Sequence, residues 1–194
     1  MNIYDFDNTI YNGDTNKDII LYSLRKHPFK VINALLKANK LNKEYKKGLI
    51  PFERVKETML SFLFKIKDTE KFIDGFVDSH IKNIKPWYLS KKDDKDIIIS
   101  ASYELWIVPF CKKLGIKYVI GTKTNNDGTI KGKNCKGREK LIRLAEVIPN
   151  AVIINSYSDS ESDLPILEVA QNAFVVEGNN LMPYKKGYVF KNKD

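Results

Sequence analysis

The sequence is poor in cysteine and has no long apolar run. Cys111 and Cys135 are the only two cysteines among 194 residues, which is too few for a disulfide framework and fits a reducing compartment. No apolar run approaches the ~20 residues that a helix needs to span a bilayer. The first residues include Asp5 and Asp7, so the start of the chain does not resemble a secretory signal. These absences argue against a disulfide scaffold and a membrane-spanning protein, and we expect a cytoplasmic one.

The composition is that of an ordinary globular domain except for its charge. Hydrophobic residues make up 43% and charged residues 29%, which excludes wholesale disorder. The net charge is +9, and residues 14–56 alone, with 11 basic and 4 acidic residues, contribute +7 of it. A basic segment suggests an anionic partner, such as a phosphorylated substrate, a nucleic acid or a membrane surface. A solvated, lysine-rich helix face is the simpler interpretation of the same pattern.

Residues 14–86 have a helical pattern. Apolar residues recur there at helical spacing, for example Ile19, Ile20 and Leu24. Pro28, the stretch 48–51 and Pro86 punctuate the pattern, and no strong strand signal occurs. We therefore predict a helical insertion after a short first strand over residues 1–4.

The rest of the chain alternates between strand and helix patterns. Short apolar runs predict strands over residues 97–100, 116–120, 151–155 and 173–176, and helical patterns cover about 103–114 and 137–147. Asn126-Asp127-Gly128 predicts a hairpin-type turn. Strands alternating with helices predict an α/β fold with a parallel, Rossmann-like sheet flanked by helices.

Carboxylates and a hydroxyl follow three of the predicted strands. Asp5 and Asp7 come directly after the first, Ser100 ends the second, and Asp159 and Asp163 follow the strand around residue 153. Ligands of open α/β sheets bind at the carboxyl ends of strands. Converging carboxylates repel one another unless a hard cation lies between them, and Mg²⁺ suits oxygen ligands. Each piece alone is also typical of a turn or a helix cap.

These groups together suit phosphoryl transfer. One carboxylate can act as a nucleophile and form an acyl-phosphate. A metal and a lysine, Lys136 or Lys140, can neutralise the phosphoryl oxygens. A second carboxylate can protonate the leaving oxygen and later activate water.

In this order the motifs resemble the haloacid dehalogenase superfamily, in its phosphoserine-phosphatase-like branch. The four matching stretches are Asp5-Phe6-Asp7-Asn8-Thr9, residues 97–102 ending in Ser100-Ala101-Ser102, residues 134–140, and residues 157–165. The resemblance covers residues 1–13 and 87–190. It implies a Mg²⁺-dependent phosphatase that works through an aspartyl-phosphate.

The resemblance also implies roles for individual residues. Asp5 would be the nucleophile and a Mg²⁺ ligand, and Asp7 the general acid and base, with its backbone carbonyl on the metal. Asp159 would bind Mg²⁺ directly, with Asp163 in support or bound through water. Ser100 would hold a phosphoryl oxygen. Thr9 and Ala101 are expected on the substrate-binding surface. Lys136 and Lys140 both remain candidates for the third motif, and Lys140 is preferred.

The predicted insertion, residues 14–86, corresponds to the family's small helical cap, and residues 1–13 and 87–194 to its core. Asp14 and Phe52 match cap positions that bind the substrate in phosphoserine phosphatases. Met59 stands where that branch has the arginine that grips the substrate carboxylate, although Arg54 or Lys56 could substitute for it. We therefore predict that free phosphoserine is a poor substrate.

Three functions compete at this point. The first is hydrolysis of a small phosphorylated metabolite. The second is a phosphotransferase that passes the phosphoryl group from the same site to another alcohol. The third is binding of an anionic membrane or nucleic acid by the basic cap. A solvated, lysine-rich helix face is the favoured explanation of the same basic pattern. The sequence leaves the oligomeric state open.

Overall fold

A six-stranded, mostly parallel sheet lies at the centre of the structure. In the computed structural model, which describes residues 1–190, the strands are β1 (Asn2–Tyr4), β2 (Ile97–Tyr103), β3 (Tyr118–Thr122), β4 (Asn155–Ser158), β5 (Asn172–Glu177) and β6 (Asn180–Pro183). Their order is β3-β2-β1-β4-β5-β6, and only the β5–β6 pair within residues 1–190 is antiparallel. The predicted α/β class and parallel sheet are confirmed.

Eight α-helices accompany the sheet within the described part of the chain. They are α1 (Thr15–Lys26), α2 (Pro28–Lys46), α3 (Phe52–Leu60), α4 (Thr69–His80), α5 (Pro86–Leu89), α6 (Glu104–Leu114), α7 (Arg138–Val147) and α8 (Leu164–Val169). The first five lie between β1 and β2, where the sequence has its helical pattern. No helix within residues 1–190 is both long and apolar enough to cross a membrane.

Local chemistry explains where the first two helices begin. The side chain of Asp14 accepts hydrogen bonds from the backbone amides of Asn16 and Lys17, which satisfies free donors at the start of α1. Pro28 begins α2, where its missing amide hydrogen costs nothing. The buried residues Val31, Ala34 and Ala38 are spaced by three and four along α2, so the helix packs one face and exposes the other.

The chain leaves and re-enters the core through hydrogen-bonded segments. The amide of Asn12 donates to the carbonyl of Asn83 at 2.8 Å. The amide of Lys85 donates to the carbonyl of Ile10, also at 2.8 Å. Tyr11 and Ile84 form an isolated bridge between the same segments. These contacts place the two segments that connect the inserted helices to the core side by side. The segments lie close to residues 13 and 87, where we predict the domain boundaries.

The predicted strand over residues 151–155 is wrong, because β4 begins only at Asn155. Val152 is 61% exposed and Ile154 is 44% exposed, whereas Ile153 between them is buried in the core. This apolar run therefore leads into the sheet without forming one of its strands. The polar residues that follow enter the sheet because they pair with both β1 and β5: Ser156 lies opposite Ile3 and Ala173. β2 likewise continues three residues beyond Ser100, with an irregular register after Ile99. The sequence analysis did not predict β6 or α8.

Aromatic stacking crosses the centre of the sheet and supports the strands that carry the site. The rings of Tyr4 and Tyr157 stack at 4.6 Å between centroids, and those of Tyr157 and Phe174 at 4.9 Å. These residues lie side by side on β1, β4 and β5. Because β1, β2 and β4 are parallel, their carboxyl ends meet at one edge, which is where their polar residues gather.

Candidate active site

Asp5 lies at the carboxyl end of β1 in a backbone that the neighbouring strand holds. Its amide donates to the carbonyl of Tyr157 at 3.0 Å. Three residues later Asn8 adopts a left-handed conformation, with φ of 54°, which an asparagine tolerates better than most residues. The amide of Asn8 donates to the carbonyl of Gly13 at 2.8 Å. The loop therefore turns sharply and keeps both Asp5 and Asp7 at the sheet edge.

Lys140 connects two of the predicted site carboxylates. Its Nζ lies 2.7 Å from Oδ1 of Asp5 and 2.7 Å from Oδ2 of Asp163, and its side chain is only 3% exposed. Gly137, with φ of 62°, makes the turn that begins α7 and accepts from the amide of Lys140. Burial lowers the pKa of Lys140, but Asp163 and Asp5 raise it well above its usual value, so the ammonium stays charged. Lys136 is exposed and lines the same cavity.

Burial and neighbouring carboxylates act on the pKa of Asp5. Burial raises the pKa of Asp5 well above its usual value, Lys140 opposes this, and Asp163 and Asp159 raise it further. Oδ2 of Asp163 accepts from Lys140 and from the hydroxyl of Ser158, both at 2.7 Å. Oδ1 of Asp163 is buried and accepts no hydrogen bond from any residue in the described range. The ammonium of Lys140 therefore offsets the charges of two carboxylates at once, those of Asp5 and Asp163.

Asp7 lies beside the predicted phosphoryl-binding strand. Its Oδ1 accepts from the amide of Thr15 at 2.6 Å, and its Oδ2 accepts from the hydroxyl of Ser102 at 2.5 Å. Burial raises the pKa of Asp7 to about 6, although these hydrogen bonds lower it. A carboxyl group with such a pKa can give and take a proton near neutral pH.

Ser100 is buried on β2 and accepts a hydrogen bond at Oγ from the amide of Ser102 at 3.0 Å. No residue between 1 and 190 accepts a hydrogen bond from the Ser100 hydroxyl, so its proton is available to a ligand. The carbonyl of Ala101 accepts from Lys56 Nζ at 2.7 Å and from Thr122 Oγ1 at 2.6 Å.

Thr9 is buried behind the site carboxylates and contacts two of them. Its hydroxyl lies 3.1 Å from Oδ1 of Asp159 and 3.3 Å from Oδ2 of Asp5, and it accepts from the amide of Asp159 at 3.1 Å. Thr9 is fully buried and does not line the cavity. Its contacts are those of a residue that orients two carboxylates, and it is not placed to touch a substrate.

A cavity of about 150 Å³ unites most of the predicted residues. Nine of the eleven line it: Asp5, Asp7, Asp14, Ser100, Ala101, Lys136, Lys140, Asp159 and Asp163. The sequence analysis gave no role to five further lining residues: Asn8, Asn16, Ser102, Ser160 and Ser162. Ser102 had a usable signal, since it lies two residues after Ser100 on one strand and so shares its side of the sheet.

The structure does not bring Phe52 into this cavity. Phe52 begins α3, is 41% exposed, and packs on Tyr45 of α2 with ring centroids 5.4 Å apart. Both rings line a separate cavity of about 630 Å³. Lys136 lines both cavities.

The positions considered for gripping a substrate carboxylate also lie elsewhere. Met59 packs against the main hydrophobic core. Arg54 is exposed and pairs with Glu57 at 3.3 Å. Lys56 is buried, but its ammonium binds the carbonyl of Ala101 and does not line the cavity. No arginine is among the residues that line the cavity within the described chain.

Comparison with known proteins agrees with this architecture. The model of the haloacid dehalogenase-like hydrolases matches residues 3–168, a span that contains all four motifs. Protein CicA of Caulobacter vibrioides is 37% identical over 113 residues, which are 53% of this chain and 51% of that protein. The chain thus matches about half the length of this relative. Histidinol-phosphatase of Neisseria meningitidis is 24% identical, over 90% of this chain and 88% of that protein.

Two solved structures share the fold at low sequence identity. A protein of unknown function from Bordetella pertussis superposes with a TM-score of 0.72 at 17% identity, over 89% of this chain and 87% of that one. A phosphoserine phosphohydrolase-like protein from Francisella tularensis gives a TM-score of 0.54 at 19% identity, over 89% and 84% of the two chains. Since the family model spans most of the sequence and every motif, the chain belongs to the haloacid dehalogenase-like hydrolases.

Proposed function

We propose that this protein hydrolyses phosphomonoesters of small metabolites, with Asp5 as the nucleophile. The observation that carries the proposal is the contact between Asp5 and Lys140 inside a cavity that also presents the Ser100 hydroxyl and the Asp7 carboxyl group. A buried carboxylate beside a buried ammonium can attack phosphorus while the ammonium offsets charge on the phosphoryl oxygens. Neither group alone would distinguish this site from a structural ion pair.

The reaction proceeds in two balanced steps. An oxygen of Asp5 forms a bond to phosphorus while the bond from phosphorus to the leaving oxygen breaks, and Asp7 gives that oxygen a proton. Water then attacks the phosphoryl group and gives its proton to Asp7, and the bond between phosphorus and Asp5 breaks. Ser100 donates its hydroxyl to a phosphoryl oxygen throughout. The free hydroxyl proton of Ser100 and the position of Asp7 beside Ser102 support these roles.

The residues fit Mg²⁺. The carboxylates of Asp5 and Asp159 and the carbonyl of Asp7 would supply oxygen ligands only, and Asp163 could assist through Oδ1, which has no hydrogen-bond partner among residues 1–190. No three His, Cys, Asp or Glu side chains of residues 1–190 could hold a metal by themselves, so water ligands would complete the site, as is usual for Mg²⁺. When bound, the ion would neutralise charge on the phosphoryl oxygens.

The size and lining of the cavity favour a small substrate. Its volume of about 150 Å³ lies below the ~300 Å³ at which pockets for drug-sized ligands begin. Since Met59 packs in the core and no arginine lines the cavity within residues 1–190, a free carboxylate on the substrate finds no bidentate partner. The proposal therefore keeps phosphoserine as a poor substrate. The Neisseria histidinol-phosphatase shows that a relative acts on another small phosphoester.

The test is phosphate release from a panel of phosphomonoesters, with MgCl₂ and with EDTA. We expect Asp5→Asn to lower activity at least ~10³-fold, because the amide cannot attack phosphorus. Asp94→Asn is the matched control, since Asp94 is exposed and forms a surface ion pair with Lys117. Full activity in Asp5→Asn would overturn the proposal. Adding acceptor alcohols and comparing released with transferred phosphate separates hydrolysis from phosphotransfer.

A further inference from the structure

Lys56 is a buried cation that crosses from the inserted helices to the sheet. It lies on α3 and is 5% exposed. Its Nζ donates to the carbonyl of Ala101 at 2.7 Å and to Oδ1 of Asn134 at 2.8 Å, and it lies 4.8 Å from the centre of the Tyr103 ring. All three partners are neutral and belong to the core.

This ammonium lacks a directly bound counterion. No carboxylate within residues 1–190 lies within 4.0 Å of Lys56 Nζ, whereas Lys140 has two. Burial lowers the pKa of Lys56 to about 8, and the more distant charges of Asp7 and Asp14 only partly oppose this. Buried charges are normally paired. An anion that enters the cavity beside Ala101 would supply the missing charge.

The partner of Lys56 leads directly to the phosphoryl-binding serine. The carbonyl of Ala101 and the amide of Ser102 belong to the same peptide group, and that amide donates to Oγ of Ser100 at 3.0 Å. A cation on the carbonyl polarises the peptide and strengthens the hydrogen bond at its other end. Oγ of Ser100 then becomes a better donor toward a phosphoryl oxygen.

We propose that Lys56 is a positioning residue that couples docking of the inserted helices to phosphoryl binding by Ser100, with the bound phosphoryl group as its counter-charge. The proposal rests on the proposed function and deepens it. A residue that only held α3 against the core would not need a positive charge at this position. Glu57 of the same helix already accepts from the amide of Ile130 at 2.8 Å, and Glu53 accepts from that of Asn134 at 3.4 Å.

A double-mutant cycle between Lys56→Met and Ser100→Ala tests the coupling. We expect Lys56→Met to lower kcat/KM about 10-fold when Ser100 is present and less than about 2-fold when it is alanine. Glu57→Ala is the control, because it removes a tie between the same helix and the core without touching Ala101. Its effect should be the same in both serine backgrounds. Equal effects of Lys56→Met in both backgrounds would overturn the proposal.

A binding measurement keeps the test independent of turnover. Calorimetric titration with inorganic phosphate should show about 10-fold weaker binding to Lys56→Met, and unchanged binding to Glu57→Ala. Unchanged phosphate affinity in Lys56→Met overturns the coupling even if the enzyme assay fails for other reasons. If wild type binds phosphate but hydrolyses no ester, the proposed function fails separately. Lys56→Gln, which keeps polar contacts but loses the charge, replaces Lys56→Met if circular dichroism shows that the latter is unfolded.

Discussion

The charged groups around Asp5 and those along α2 differ in burial, pairing and number. Lys140 is 3% exposed and contacts two carboxylates at 2.7 Å. Along α2, Lys37, Lys40 and Lys43 are exposed to solvent, and the helix contains a single acid, Glu44. The α2 lysines account for much of the net charge of +9, whereas in the site two carboxylates share one buried ammonium.

The comparison teaches that net charge and chemistry come from different residues. Solvent screens exposed charges, and their single contributions to stability are small. A buried charge has few partners, so each contact alters its pKa and its reactivity. The exposed lysines of α2 can attract an anion from a distance, whereas the groups that line the cavity can contact it. The predictions below separate these two effects, from the largest to the smallest.

Removing the ammonium at the centre of the site should have the largest effect. Lys140→Ala leaves Asp5 and Asp163 buried without their cation, so we expect at least ~10³-fold lower kcat/KM and a loss of unfolding free energy of roughly 3–5 kcal/mol. Steady-state kinetics and urea denaturation measure the two effects. Lys136→Ala, which removes an exposed lysine from the same cavity, should cost under ~10-fold in kcat/KM. A reversed order would assign the phosphate-neutralising role to Lys136.

Ser102 should matter next, because it orients the proposed proton donor. Its hydroxyl donates to Asp7 at 2.5 Å and accepts from Asn16 Nδ2 at 2.8 Å. We expect Ser102→Ala to lower kcat by ~10–100-fold with a smaller change in KM, since proton transfer belongs to the transition state. Ser90→Ala, on an exposed hydroxyl that bonds the carbonyl of Trp87, is the control. A rise in KM of similar size, with kcat unchanged, would instead assign Ser102 to substrate binding.

Lys56 should affect stability in the direction opposite to its effect on activity. Its pKa is lowered to about 8 in the folded protein from an ordinary value of 10.5. The unfolded chain therefore binds more protons between these values, and the free energy of unfolding rises with pH across that window. Below pH 8 the buried charge costs on the order of 3 kcal/mol. Lys56→Met should be as stable as wild type or more stable at pH 7.

Denaturation of Lys56→Met and wild type at pH 7, 8, 9 and 10 checks this sign. Any stability advantage of the variant should shrink as the pH rises through the window, since wild type loses its buried charge there. The groups that face Lys56 and set the window are Asp7, Asp14, Cys135 and Lys136. A stability difference that is constant with pH would show that Lys56 carries no buried charge in the folded protein.

The exposed lysines should have the smallest effect. Replacing Lys37, Lys40 and Lys43 together by glutamine should lower kcat/KM by no more than ~2–5-fold at low salt and leave kcat unchanged, because they act on encounter. The difference should vanish at ~0.5 M salt, where the screening length is only a few ångströms. Kinetics at three salt concentrations measure it. Loss of binding to anionic vesicles in the same variant would support a membrane role for the basic face.

Much of the site could be predicted because its residues follow strands in a fixed order. Asp5, Ser100 and Asp159 each come after an apolar or sheet segment, and parallel strands bring their ends to one edge. Contacts that cross between segments could not be predicted in this way. Thr9 falls within a motif, but its burial beneath Asp5 and Asp159 depends on β1 and β4 being neighbours. Phe52 matches a motif, yet its ring packs against Tyr45 and lines a different cavity.

The strand positions show the same limit. Residues 151–154 have the apolar run of a buried strand, but the polar segment Asn155–Ser158 occupies the sheet. A prediction from hydropathy expects a parallel strand that lies between two other strands to be apolar along its whole length. Here Ser156 and Ser158 are buried in the sheet, and Ser158 donates to Asp163 at 2.7 Å. Pairing with β1 and β5 and the contact with Asp163 therefore override the local hydropathy pattern at this strand.

The sequence by itself determined the class of the fold, the helical insertion, the family and the set of acids at the strand ends. These features depend on local periodicity and on residue order, which a linear pattern records. Only the tertiary structure decided that Lys140 pairs with Asp5, that Phe52 lies outside the cavity and that Lys56 reaches Ala101. The physical reason is that an ammonium is identical in every lysine of the sequence. Its burial and its partners, set by packing between distant segments, decide what each one does.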